Sequence, residues 1–400
     1  MIFNMVGGGG GSSTKSTIIV SIDTGSTVAA YSDSSYQTLV KTASEKSTGE
    51  YWLTGLANGT YYIKATKSGD ETTTSYTITE YGVYRIGMSY DTRPVFTYTG
   101  TYELVDDADA DISAETTWQG DWKLRLLTSG TLTFSKIDSD IDVFLVGGGG
   151  GSGKSNTDRG AGGGYTHTER AVAVDDGTPY EVIVGAGGLQ SSNGGASSAF
   201  GYSANGGTTS SGGSGGGTGG QSTLYGGGSD GSNSQDGTSG QGTTTREFGG
   251  YTNTVASNVS ESSTLVLSSE PTDTEKAFLV SGQFITIGNN PTAYGQVFPI
   301  TNYDESTRTV TVLTTFGKVT ASAGTVVRFG NLYAAGGEGR SYNGSRQTGS
   351  HTGFYTGMTN TDYYWNAVID DNSGSGAIGA NSSESSVGGS GIVIIRNARS

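Results

Sequence analysis

Val143-Phe144-Leu145-Val146-Gly147-Gly148-Gly149-Gly150-Gly151 is an apolar strand that runs straight into five glycines. What the glycines do decides the fold. Ordering a backbone costs about 1–2 kcal/mol per residue, and glycine has the most freedom to lose. Taken alone, such a tract reads as a flexible linker. The rival is a compact polyglycine array, with extended polyproline-like strands side by side and amides bonded to neighbours. The absence of Cβ atoms permits that close approach, and Cα–H···O contacts assist it.

Three features favour order. From 147 to 250 about a third of the residues are glycine, without the strict triplet of collagen. The tract is punctuated by apolar pieces such as Glu181-Val182-Ile183-Val184-Gly185-Ala186-Gly187-Gly188. Apolar strands bracket the whole region, 141–146 before it and Ile392-Val393-Ile394-Ile395-Arg396 at its end. Pairing of those strands would close it into one domain.

Between about 252 and 329 glycine thins out. Strands are expected at 264–267, 277–280, 284–287, 296–300, 309–313 and 325–329. Gly288-Asn289-Asn290-Pro291 and Asn302-Tyr303-Asp304 are turn signals between them. This reads as a small β-barrel or sandwich inserted into the glycine-rich region. Upstream, short alternating runs from Thr17 to Met88 and turns such as Asn58-Gly59 predict an antiparallel β-sandwich. The expected organisation is an N-terminal arm (1–16), a docking or spacer sandwich (17–90), a glycine-rich domain (91–250 and 331–400) and an inserted β domain (251–330). The fold class is all-β. Residues 91–125 read as a polar bridge.

Composition agrees. The 400 residues include 69 glycines, 23 tyrosines and 5 prolines, a mixture suited to strands and turns and poor for helices. The formal charge of −15 and the lack of any basic run argue against nucleic acid as a partner. No stretch approaches the roughly 18 apolar residues of a membrane-spanning helix. No secretion signal is visible at the N-terminus. With no cysteine, disulfides and thiolate metal sites are excluded.

Several motifs invite a chemical reading. Gly148 through Lys154-Ser155 matches the phosphate-loop pattern, but Asn156-Thr157-Asp158-Arg159-Gly160 cannot supply the helix the motif needs. Lys154 and Ser155 are therefore read as a decoy. Asp107, Asp109 and Asp111 imitate a calcium loop, yet Ile112 replaces its glycine and Trp118 its final glutamate, which leaves a solvated acidic turn. Asp138, Asp140 and Asp142 alternate on one strand face, expected to be wet. His167 and His351 read as surface residues. No catalytic constellation, cofactor or metal is expected. Phe354, Tyr355, Tyr363, Tyr364 and Trp365 offer aromatic faces beside Asn and Asp, the chemistry that stacks on sugar rings.

A series of motifs carries a family resemblance. Val143–Gly150 is followed by Gly162-Gly163-Gly164-Tyr165-Thr166, Val182–Gly188, Gly194-Gly195-Ala196-Ser197-Ser198 and Gly388-Gly389-Ser390-Gly391-Ile392-Val393-Ile394-Ile395-Arg396. The series resembles the glycine-rich domain of phage tail-fibre, tail-tip and adhesin proteins over about residues 120–400, insert excluded. Arg246-Glu247-Phe248-Gly249 and Leu332-Tyr333-Ala334-Ala335-Gly336-Gly337 look like halves of one family segment, split by the insert. Residues 53–65 resemble one hairpin of carboxypeptidase-regulatory-like or PEGA-like sandwiches. The resemblance implies a non-enzymatic virion protein, docked to other virion proteins through its N-terminal region and facing a host surface receptor or glycan. A trimer is one arrangement it allows. A purely architectural head-fibre, decoration or tail-tip component without receptor specificity and a bacterial surface adhesin are the alternatives.

Overall fold

The structure is a computed structural model. It describes residues 15–115, 117–151, 161–209, 246–281, 283–288, 297–313, 318–334, 358–359, 368–369, 371–377 and 387–399. The chain is all-β: among the described residues α-helix is confined to Asp273–Lys276. No helix there is long and apolar enough to cross a membrane. Two compact units emerge, Met1–Arg93 with Ala114–Gly120, and Pro94–Ser113 with Asp121–Ser400.

The first unit is a sandwich of two four-stranded sheets. One runs in the order Ser44–Ser47, Glu50–Leu56, Ser16–Ser21, Val83–Gly87. The other runs Leu39–Thr42, Thr27–Tyr31, Gly59–Lys67, Asp70–Ile78. Alternation places Tyr61, Ile63 and Ala65 inward, where they meet Ile18, Val20 and Leu53 in one core. Ala114–Gly120 belongs to this unit: Thr92 N donates to Trp118 O at 2.8 Å, and Gln119 Nε2 to Tyr90 O at 3.0 Å.

In the second unit a five-stranded sheet runs Tyr102–Val105, Lys123–Leu126, Ile392–Asn397, Ile141–Val146, Thr166–Val172. A three-stranded sheet holds Pro179–Val182, Gly130–Lys136 and Val95–Tyr98. The expected pairing of the bracketing strands is present, with Ile141–Val146 antiparallel to Ile392–Asn397. All six residues of Ile141–Val146 are buried, so two-sided burial replaces alternation with a nearly continuous apolar run. The polar bridge at 91–125 is corrected: it contributes Val95–Tyr98, Tyr102–Val105 and Lys123–Leu126. Two of these are edge strands, whose exposed positions accept polar residues and so blur the apolar pattern.

Six of the described strands between Tyr251 and Phe329 form a closed barrel. Its order is Tyr251–Thr254, Val326–Phe329, Phe284–Ile287, Val297–Asp304, Thr309–Val312, Thr264–Val266. The circle closes through Ala256 N to Val266 O and Ser268 N to Thr254 O, both 2.8 Å. Closure removes the sheet edges. The expected strand at 277–280 is absent. Instead Thr272 and Glu275 form a capping box that starts the short helix Asp273–Lys276, and the chain turns after it. The barrel enters and leaves on paired strands, and Glu247 N donates to Asn331 O at 3.0 Å across the seam.

Candidate functional site: a ring of glycine strands on a charged base

The strand Ile141–Val146 leaves its sheet as the glycine segment 147–151, and its hydrogen bonds change period there. Gly147 N donates to Tyr165 O, Gly148 N to Gly195 O, Gly149 N to Gly389 O, Gly150 N to Gly162 O and Gly151 N to Ser192 O, each at 2.9 Å. Every third amide returns to the same neighbour, as three residues per turn require. These three neighbours, 161–165, 192–195 and 387–391, accept from the central strand. Its carbonyls receive amides from three others: Gly207 to Gly148 O at 2.8 Å, Gly188 to Gly149 O at 2.7 Å and Ala377 to Gly150 O at 2.9 Å.

The six neighbours also bond to one another in a closed ring. Segment 161–165 donates to 205–208 through Gly162 and Tyr165, and 192–195 joins 205–208 through Gly194 N to Gly207 O. Gly195 N to Ala186 O then links 192–195 to 185–189, and Gly388 N to Gly188 O links that segment to 387–391. Gly389 N to Ser375 O continues to 374–377, and Ala161 N to Ala377 O completes the circuit. One extended strand thus sits inside six, with backbone amides as the glue.

Glycine is required by the spacing. A Cβ on any of Gly147 to Gly151 would lie closer than 3.0 Å to a backbone carbonyl of segments 205–208, 185–189 or 374–377. Where the sheet becomes the bundle, the buried Ser197 hydroxyl donates to Val146 O at 2.6 Å and accepts from Gly185 N at 2.9 Å.

Below the bundle, charges are concentrated in the base. Asp142 was expected on a wet strand face, but it is fully buried and ion-paired to Arg170 and Arg396. Neighbouring strands supply both arginines, which the spacing of aspartates along one strand cannot reveal. The ring of Phe248 lies 4.1 Å from the Arg396 guanidinium and 5.4 Å from that of Arg170. Asp109 is likewise not simply solvated: it pairs with Lys123 at 2.5 Å and accepts from Asn331 Nδ2 at 2.6 Å. Asp107 pairs with Arg399. Asp111 is exposed and accepts from Ser113 N. Among the described residues, no group of His, Asp and Glu is arranged to hold a metal ion.

Lys123 also contacts Glu247 at 3.0 Å. Burial works against its charge, but Glu247 and Asp109 outweigh burial and hold its pKa above the ordinary lysine value. Burial, with a contribution from Glu247, raises the Tyr333 phenol, and burial pushes Tyr251 up to about 12. Burial and the nearby Arg170 lower Arg396. A cleft of about 280 Å³ opens here, lined among others by Lys123, Arg170, Glu247, Phe248, Tyr251 and Arg396. Cations and carboxylates in it are paired, so it reads as the joint that fixes the barrel to the glycine-rich base.

His167 is corrected from the surface: it is 6% exposed, beside the Tyr202 ring and 3.4 Å from Glu169. Phe354, Tyr355, Tyr363, Tyr364, Trp365, His351, Lys154 and Ser155 lie outside the described residues. The amides of Gly148 to Gly151, which a phosphate loop would turn toward a ligand, are instead spent on neighbouring strands. Sequence reading also missed the buried Arg246, which donates to Phe284 O, Gly330 O and Thr286 Oγ1 and anchors the barrel. Its place in the seam segment Arg246-Glu247-Phe248-Gly249 was the available signal.

A bundle of bonded glycine strands on a β base defines a class of glycine-rich β-domain. The family model described as a glycine-rich domain matches residues 127–398, and the chain belongs to that family. No curated protein matches the chain.

Proposed function

We propose that the chain is a structural protein of a bacteriophage virion, at the tail or an exposed fibre, that binds the host cell surface non-covalently. Its N-terminal region, with a sandwich resembling docking and spacer modules, holds it to other virion proteins. The observation carrying this reading is the division of labour in the bundle. Its lattice is backbone, and its described ends at 151, 161, 189–192, 208 and 377 lie together, joined by Gly151 N to Ser192 O, Gly162 N to Thr208 O and Ala161 N to Ala377 O. A lattice built of the backbone of the described segments suits a rigid platform for recognition. Phe354, Tyr355, Tyr363, Tyr364 and Trp365 are the proposed receptor or glycan contacts. They belong to the chain between Ala334 and Asp371, where Met358–Thr359 pairs with Val368–Ile369.

The test is co-sedimentation of the purified chain with intact bacteria from a strain panel. The full chain is compared with a variant lacking 252–330 and with one carrying alanine at the five aromatic positions. Glu247 N donates to Asn331 O at 3.0 Å and Arg246 pairs with Leu332, so the deletion rejoins neighbouring backbone. Saturable binding, lost on aromatic substitution and kept without the barrel, is the expected result. Binding to no strain, with the protein located on virions, would leave the purely architectural role.

A further inference from the structure

Among the described residues the N-terminal sandwich has four edge strands, and three are built to refuse partners. Leu39–Thr42 has four residues, carries Lys41 and pairs with a register shift. Ser44–Ser47 is as short, carries Lys46 and is also irregular. Val83–Gly87 has five residues and bears Arg85, ion-paired to Glu50. Short length, lysines and bulges are the usual means of blunting a sheet edge.

The fourth edge has none of them. Asp70–Ile78 has nine residues and pairs with Gly59–Lys67 at every position without a shift. It contains no proline and no lysine, and its charges stop at Asp70 and Glu71, the latter paired to Lys64. Glu71, Thr73, Ser75 and Thr77 are exposed on one face. Among the described residues, no strand pairs with its outer side. On its inner side the strand already uses hydroxyl pairing, with Thr60 and Thr77 Oγ1 atoms 3.0 Å apart.

We propose that Asp70–Ile78 is a self-association edge: two copies of this chain pair these strands antiparallel about a two-fold axis, merging two four-stranded sheets into one. A second copy fits because the chain carries a formal charge of −15 and repels itself wherever carboxylates meet, whereas Thr72 to Ile78 is uncharged. With Thr74 opposite itself, Thr73 faces Ser75, Glu71 faces Thr77 and Asp70 faces Ile78. No carboxylate opposes another. Thr–Ser hydroxyl pairs line the exposed face, a favourable cross-strand combination. The interface is isologous and closes at two copies.

Sedimentation equilibrium of the full chain across the micromolar range tests this, with two variants altered only at exposed positions. Thr73→Lys with Ser75→Lys sets like charges opposite one another across the axis. Thr73→Lys with Ser75→Glu sets opposite charges there, while perturbing each copy's strand comparably. The expected results are a wild-type dimer, a dissociation constant raised at least about tenfold by the lysine pair, and a retained dimer for the charge-complementary pair. Circular dichroism checks that both variants fold. A monomeric or trimeric wild type would overturn the proposal. So would a dimer indifferent to the lysine pair, or one lost equally in both variants.

Discussion

Replacing Gly149 by alanine is the sharpest perturbation of the bundle. The new methyl would meet the carbonyl of Ser375 closer than 3.0 Å, and that obstacle is backbone rather than the end of a flexible side chain. Segments 147–151 and 374–377 would have to part by roughly an ångström or more to restore ordinary contact. Segment 374–377 has little room to yield. Ala377 N is bonded to Gly150 O, Ala161 N to Ala377 O, Gly164 N to Gly374 O, Gly389 N to Ser375 O and Gly374 N to Ser390 O, at 2.7–2.9 Å. Losing two of these buried bonds costs about 2–6 kcal/mol, at about 1–3 kcal/mol for each unsatisfied pair. That is a large share of a domain stability of about 5–15 kcal/mol. Urea unfolding of Gly149→Ala should show that loss, and the melting temperature should fall by roughly 10 °C. Gly87→Ala is the control, because a Cβ there meets nothing within 4 Å. It should stay within about 0.5 kcal/mol of the parent. If the two variants unfold alike, the lattice is not what holds the bundle.

Asp142→Asn should destabilise by about 3–5 kcal/mol in the same urea assay, because it leaves Arg170 and the largely buried Arg396 without their shared carboxylate; a loss under about 1 kcal/mol contradicts the assignment. Arg246→Met should cost roughly 3 kcal/mol or more by stranding the carbonyls of Phe284 and Gly330 and the Thr286 hydroxyl. Hydrogen exchange should then quicken in the barrel strands and stay unchanged in Ser16–Ser21; equal quickening in both would refute a local anchor. Stability should be lost in alkali. Tyr251, held up to about 12 chiefly by burial, keeps a proton that the unfolded chain releases near about 10, so the folded state binds more protons and its advantage falls as pH rises. Lys123 acts with the same sign: its stabilisation is complete below the ordinary lysine value and is lost as pH passes its raised folded value. The urea midpoint should decline above about pH 10, and less steeply in Tyr251→Phe; identical slopes would remove Tyr251 from the account.

Strands with a strong apolar pattern were legible in the sequence, as was the pairing of 141–146 with 392–396. The order of segments around the central glycines was not. Alternation and amphipathy are written in side chains, and a strand of five glycines carries none, so which neighbour each amide meets leaves no trace in residue type. Asp142 misled for a related reason, because its partners come from sheet neighbours 28 and 254 positions away. The short run at 277–280 is ambiguous between strand and helix by length alone. The Thr272–Glu275 capping pair was the deciding signal there. Within the candidate site, the seam at Arg246 and Leu332 was suggested by the family resemblance rather than by composition, whereas the ion pairs that lock it needed the fold.

The most direct test of the bundle is amide hydrogen exchange at Gly147 to Gly151, read by NMR on glycine-labelled protein. Five glycines held at the centre of a bonded ring should exchange only with global unfolding, at rates matching the amides of Ile141–Val146. Exchange at the speed of an unstructured glycine linker, with Ile141–Val146 still protected, would contradict the closed ring.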